Sequence, residues 1–285
     1  MSLVTVLPEP LCHWAFDDAS DLGKDTMGRA ALLPHLSTGS STRAGSYGRY
    51  LTGSMKLPAA DFPERFPTGN APFTVSMRVL PCGPPQTYNL LAWGDTSAAT
   101  NRFRLYMDNC PRRAYVTCGT QSARPFNWSQ NYATERGCWT HIVVVCDTQR
   151  KMVQKSKVRL IRDGKVETTY TGFDANITAQ DLYLNCNTAG TANSAHYIDD
   201  LRIYSAPLSR EQIRELYRRE KVIEITATGV WAVAGESAEI EAKATSPAGC
   251  DLSKLHWCLC DASGAVVTSW KQSVAGHAKR LKMNL

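Results

Sequence analysis

A chain of 285 residues with 43% hydrophobic and 20% charged side chains is long enough for one large or two ordinary domains, and too apolar to stay disordered. Its net charge of +6 is spread along the chain, which argues for solubility and against nucleic acid as a partner. No run approaches the ~18 apolar residues of a membrane-spanning helix, and ten cysteines without a CxxC pair exclude zinc-ribbon spacing.

"MSLVTVLPEP" has neither the basic start nor the long apolar stretch of a secretory signal. Period-two alternation then begins at Cys12, Trp14 and Phe16. Further strands are predicted at 73–80, 89–93, 102–107, 114–118, 139–146, 157–161 and 181–186, separated by Gly, Pro, Asn and Asp. This spacing predicts an all-β sandwich or jelly roll. Asp163-Gly164 supplies a hairpin turn, because a type I′ turn needs positive φ at both central residues. Cys12, Cys146 and Cys186 lie in strand-like runs and read as small buried hydrophobes, with disulfides as the alternative.

The stretch "AHYIDDLRIYSAPLSREQIRELY" (195–217) joins a strand to a helix. Asp199, Leu201 and Ile203 share one parity, so Asp199 is expected to point inward with the hydrophobic residues. Ser209 is the predicted N-cap and Gln212 its capping-box partner, with Leu208 and Ile213 placed as a hydrophobic staple. Beyond Lys221 a second alternating pattern starts with "SAEIEAKAT". The tail at 222–285 is expected to be a partial immunoglobulin-like β-sandwich, cut from a longer protein, because it is shorter than the roughly 100 residues such a domain uses.

"WAFDD" (14–18), "GSYGRYL" (45–51), "PFTVSMRV" (72–79), "WTHIVVV" (139–145), "RLIRDGK" (159–165) and "IDDLRIYSAPLSREQIRELY" (198–217) occur in the order of a laminin G-like domain. Residues 11–220 thus resemble the concanavalin A-like jelly roll of that superfamily. The resemblance implies a module of a secreted or cell-surface protein that binds glycans or other extracellular proteins. It also implies a structural calcium ion near the first strand, held by Asp199 with Asp17 as partner. Thr52-Gly53 stands where many relatives carry Asp-Gly, which removes one acidic group. Asp199 accepting backbone amides or pairing with an arginine is the alternative.

The same fold hosts glycanases, but the chain lacks their Glu-x-Asp-x-Glu strand, so a non-catalytic monomer is expected. In "RFRLYMD" the inward set is Phe103, Leu105 and Met107, leaving Arg104 and Tyr106 outward. In "RAYVTC" the outward set includes Arg113 and Tyr115. Aromatic faces stack on sugar rings and arginines hydrogen-bond hydroxyls, so Arg104, Tyr106, Arg113 and Tyr115 form a candidate glycan platform, edged by Trp128 and Tyr132. The competing reading is a protein-adhesion or spacer domain.

Overall fold

A computed structural model of the chain describes residues 5–35, 41–45, 48–80, 88–95, 101–108, 113–119, 124–127, 139–148, 156–162, 164–173, 175–186 and 196–220. In the tail it describes the backbone of 224–229, 237–245, 256–260, 266–271 and 278–284. The chain divides into two compact units, Met1–Arg214 and Glu215–Leu285.

In the first unit the strands are β1 (Cys12–Trp14), β2 (Leu33–Pro34), β3 (Ser41–Gly45), β4 (Gly48–Thr52), β5 (Met55–Leu57), β6 (Phe73–Leu80), β7 (Tyr88–Gly94) and β8 (Arg102–Asp108). They continue as β9 (Arg113–Gly119), β10 (Arg124–Asn127), β11 (Thr140–Asp147), β12 (Ser156–Arg162), β13 (Lys165–Phe173), β14 (Leu182–Cys186) and β15 (Tyr197–Tyr204). Helix α1 (Arg210–Glu220) follows.

Among the described residues these strands form two antiparallel sheets. The eight-stranded sheet has the order β13-β12-β11-β6-β15-β4-β3, with β1 paired to β15. The seven-stranded sheet has the order β10-β9-β8-β7-β14-β5-β2. Alternation drives one face of each strand into a shared core. Phe73, Val75, Met77, Ile142, Val144 and Leu160 come from the first sheet; Leu57, Trp93, Phe103, Leu105, Met107 and Leu184 come from the second. Phe73, Trp93 and Phe103 lie with ring centroids 4.3–5.2 Å apart, the spacing at which aromatic pairs add stability beyond their burial.

The turns and caps behave as the sequence predicts. Arg162 pairs with Lys165, and Gly164 between them adopts φ +74°, while Asp163 lies outside the described residues. At α1 the Gln212 amide donates to Ser209 Oγ at 3.1 Å, and the Ser209 amide donates to Gln212 Oε1 at 2.8 Å. This reciprocal pair satisfies two of the amides that a helix start leaves without intrahelical partners.

The orientation of Asp199 differs from its sequence expectation. Ile198 pairs with Val79 and Asp199 with Arg78, but the next register position joins Arg202 to Ser76. The extra residue is a β-bulge, with Asp200 at φ +52°. One inserted residue reverses parity. Ile198, Leu201 and Ile203 therefore point into the core, and Asp199 faces the other way, beside Arg78. The second unit contains β16 (Glu224–Gly229), β17 (Ser237–Thr245), β18 (His256–Cys260), β19 (Val266–Lys271) and β20 (Ala278–Asn284). They form a three-stranded sheet β16-β17-β20 and a two-stranded sheet β18-β19.

Candidate functional site

Directly paired residues on neighbouring strands share a face, so the register places the outward side chains of the seven-stranded sheet in rows. Lys56, Tyr183, Ala92, Arg104 and Thr117 stand in line across β5, β14, β7, β8 and β9. Asn89, Tyr106 and Tyr115 form the adjacent row. The bulge in β7 between Asn89 and Leu91 keeps both rows in phase.

Within these rows the tyrosines expected outward are brought together. The Tyr106 and Tyr115 rings stack with centroids 5.1 Å apart and planes 12° apart. The Arg104 guanidinium lies 3.9 Å from the Tyr106 centroid, and its Nε donates to Asn89 Oδ1. Contacts of these two kinds each contribute roughly 0.5–1.5 kcal/mol. Tyr106 has the expected outward parity but not the expected exposure: covered by Arg104 and Tyr115, it is 9% exposed. Tyr115 is half-buried and remains reachable. Arg113 begins β9, with its side chain outside the described residues, as are Trp128 and Tyr132.

The sequence reading missed the far end of the same face. Tyr183 packs against the His35 ring at 4.9 Å, and Lys56 Nζ lies 5.7 Å from the Tyr183 centroid. Lys56 is held by Asp181 at 2.6 Å, a contact that raises its ammonium pKa above the ordinary value. Between the two aromatic groups stands Ala92, whose short side chain leaves the face low there. Tyr183 and Arg104 are two strand spacings apart, ~10 Å. Alternation in Leu182–Cys186 made Tyr183 outward in the sequence. Its neighbours were set by strand order, which alternation does not encode.

The acidic residues gather elsewhere, around β1 and the β15 bulge. Asp25 is 6% exposed and accepts four backbone amides: His13 and Met27 on Oδ1, at 2.8 and 3.0 Å, and Arg29 and Ala30 on Oδ2, at 2.9 and 3.1 Å. Gly23 closes this loop against Leu32, whose carbonyl oxygen would lie 1.7 Å from any added Cβ. Asp18 accepts the amides of Ser20 and Asp21 and the Ser20 hydroxyl, which with Lys24 hold its carboxyl down at about 2. Asp200 Oδ1 lies 3.0 Å from both His13 Nε2 and Arg202 Nη2. Burial alone would raise Asp200, but these two partners bring it down to about 2.

Asp199 is the exception in this group. Burial, reinforced by the charges of Asp200 and Asp17, pushes its carboxyl up to about 8, although the Asp200 amide donates to Oδ1 at 2.9 Å. Asp17 and Asp199, the pair expected to hold calcium, thus repel each other, and a bound cation or a proton relieves that repulsion. Among the described residues no group of three or more His, Cys, Asp or Glu side chains converges in a metal-holding arrangement. Any cation between Asp17 and Asp199 therefore needs backbone carbonyls or water as further ligands. The Ser76 hydroxyl lies 2.8 Å from His141 Nε2, a spacing that suits a nucleophile and its base. Both residues are buried, and burial drives His141 down to about 3, so the pair belongs to the packed interior.

A family profile described as the concanavalin A-like lectin/glucanases superfamily matches residues 51–214. Domain 4 of an extracellular arabinanase from Geobacillus stearothermophilus, solved in complex with arabinotriose, is similar in structure: 18% identity, TM-score 0.54, 73% of this chain and 98% of that one. The receptor binding domain of botulinum neurotoxin D aligns at 11% identity and TM-score 0.55, over 94% of this chain and 80% of that one. The binding domain of Paraclostridial Mosquitocidal Protein 1 aligns at 9% identity and TM-score 0.52, over 91% and 67%. No curated protein sequence matches the chain.

Proposed function

Because this chain belongs to the concanavalin A-like lectin/glucanases superfamily, we propose that its first unit is a non-catalytic carbohydrate-binding module of a secreted or surface protein, with its ligand on the outer face of the seven-stranded sheet. The observation that carries this reading is the ordered Arg104–Tyr106–Tyr115 group, with Tyr183 two strands away on the same face. Tyr115 offers a ring to the apolar side of a sugar, Arg104 offers donors to hydroxyls, and Tyr106 holds both in place. Ala92 leaves room between Tyr115 and Tyr183 for a short run of sugar units. The similarity to a domain solved with arabinotriose supports starting the search with arabinose-containing polysaccharides.

Such a site gives a Kd of roughly 10 µM to 1 mM, or about 4 to 7 kcal/mol. Tyr115→Ala is expected to weaken polysaccharide binding at least ~10-fold, equal to about 1.4 kcal/mol, with little change in Tm. Leu105→Ala is expected to do the reverse, by opening the core. The measurement is affinity electrophoresis against a panel that includes arabinan, beside a panel of extracellular-matrix proteins. Binding to proteins alone, or glycan binding that survives both Tyr115→Ala and Tyr183→Ala, selects the adhesion or spacer reading instead.

Calcium is the proposed companion of Asp17 and Asp199, since a cation there would neutralise two carboxylates that otherwise repel. Saturating calcium at pH 8 is expected to raise Tm by roughly 5–10 °C over chelator. The gain should vanish in Asp199→Asn. Equal melting with calcium and with chelator leaves a proton as what satisfies Asp199.

A further inference from the structure

Cys118 on β9 and Cys146 on β11 belong to different sheets, yet their sulfurs lie 3.5 Å apart. Both point into the layer between the sheets: Cys118 stands opposite Phe103, and Cys146 is flanked by Phe73 and Val158. Packed sheets lie ~10 Å apart, a gap that large side chains normally fill. Two facing cysteines are small for that position, and the contact brings the strands together where a covalent link could span them. A disulfide bond is ~2.05 Å long, so closing the present contact needs a movement of about 1.5 Å shared between two side chains. Cys12 and Cys186, the other cysteines whose side chains are described, are also buried and are free thiols.

We propose that Cys118 and Cys146 are a covalent modification site, joined in an inter-sheet disulfide when the chain folds in the presence of a disulfide oxidant. The reaction is thiol exchange. One cysteine thiolate attacks oxidised glutathione, releasing one glutathione thiol and leaving a mixed disulfide. The second thiolate then attacks the cysteine sulfur of that mixed disulfide and releases the second glutathione thiol. Two protons and two electrons leave the cysteine pair, and the oxidant's own disulfide is reduced. Timing follows from burial, which holds the Cys146 thiol well above its usual range and so starves the folded protein of thiolate. The bond therefore forms while the sheets are still closing, and once closed over it is shielded from reductants.

The test refolds the full chain from denaturant, once in a glutathione redox buffer and once in excess dithiothreitol. Free thiols are alkylated and the protein is digested without reduction. The expected result is a linked peptide pair containing Cys118 and Cys146, two hydrogens lighter than its separate parts, found only after oxidative refolding. The oxidised protein is expected to melt roughly 5–10 °C higher than the reduced one, because the link closes a loop of about 30 residues. That difference should disappear in Cys118→Ala, or in Cys118→Val if alanine leaves too large a cavity. Recovery of both cysteines alkylated after oxidative refolding, or their capture in links to other cysteines, overturns the proposal. Either result leaves the glycan-binding reading untouched.

Discussion

Replacing Asp25 with alanine is expected to destabilise the first unit by about 3–5 kcal/mol, the upper part of the range for a single substitution. Its carboxylate gathers four backbone amides from two segments, and removing it takes the acceptor from one buried and three part-buried donors. The damage extends to β1: the His13 amide is one of the four, and the loop also carries the Ala30 carbonyl that accepts Trp14 Nε1 at 2.9 Å. Asp25→Asn keeps the shape but turns an NH2 group toward amide donors, so an intermediate loss is expected. Urea melts monitored by tryptophan fluorescence measure both. A midpoint for Asp25→Ala within ~0.5 kcal/mol of the parent chain would contradict the assignment.

Acid is expected to act on this protein earlier than on most. His141 and His196 are buried; burial, helped at His141 by the charges of Arg78 and Arg202, holds them down at about 3 and about 4, against an ordinary 6.5. An unfolded histidine takes up a proton near pH 6.5, while these two stay neutral in the fold. The stability they allow is therefore complete above that pH and falls by about 1.4 kcal/mol per pH unit for each histidine as pH drops toward the folded values. Asp199, raised to about 8, works in the opposite direction between pH 4 and 8, because its unfolded form gives up a proton that the folded form keeps. In chelator the net slope between about pH 4.5 and 6.5 is thus that of one histidine, about 1.4 kcal/mol per unit. His141→Gln or His196→Gln should nearly flatten it. Urea midpoints between pH 6.5 and 4.5 give the slope, and a flat profile in the parent chain over that range would sink the prediction.

The strands were legible because their signal is local. Phe103, Leu105 and Met107 announce an inward face by alternation alone, and all are fully buried. Ser209 and Gln212 announce a helix start by spacing, and their two hydrogen bonds are present. Asp199 was misplaced because a bulge is a single inserted residue, and Asp200 adopts positive φ without a glycine to mark it. Asp25 has no comparable local signal. Nothing in "DLGKDTMGRA" shows that its carboxylate collects amides, since that depends on how the loop folds back on β1. Tyr106 was read correctly for side and wrongly for access, because covering depends on the neighbouring strand.

The strand order also sets when this fold can exist at all. β15 lies between β6 and β4 and carries β1 as well, so the last strand of the first unit joins three strands made far earlier. A chain emerging from the ribosome holds two half-sheets with open edges until residues 197–204 are free to insert. Contacts this distant in sequence make folding slow, on the order of milliseconds to seconds, and leave the waiting edges open to pairing with other chains. The same arrangement makes completion all-or-none: inserting one strand closes the eight-stranded sheet, ties down the amino-terminal segment and covers the core in a single event.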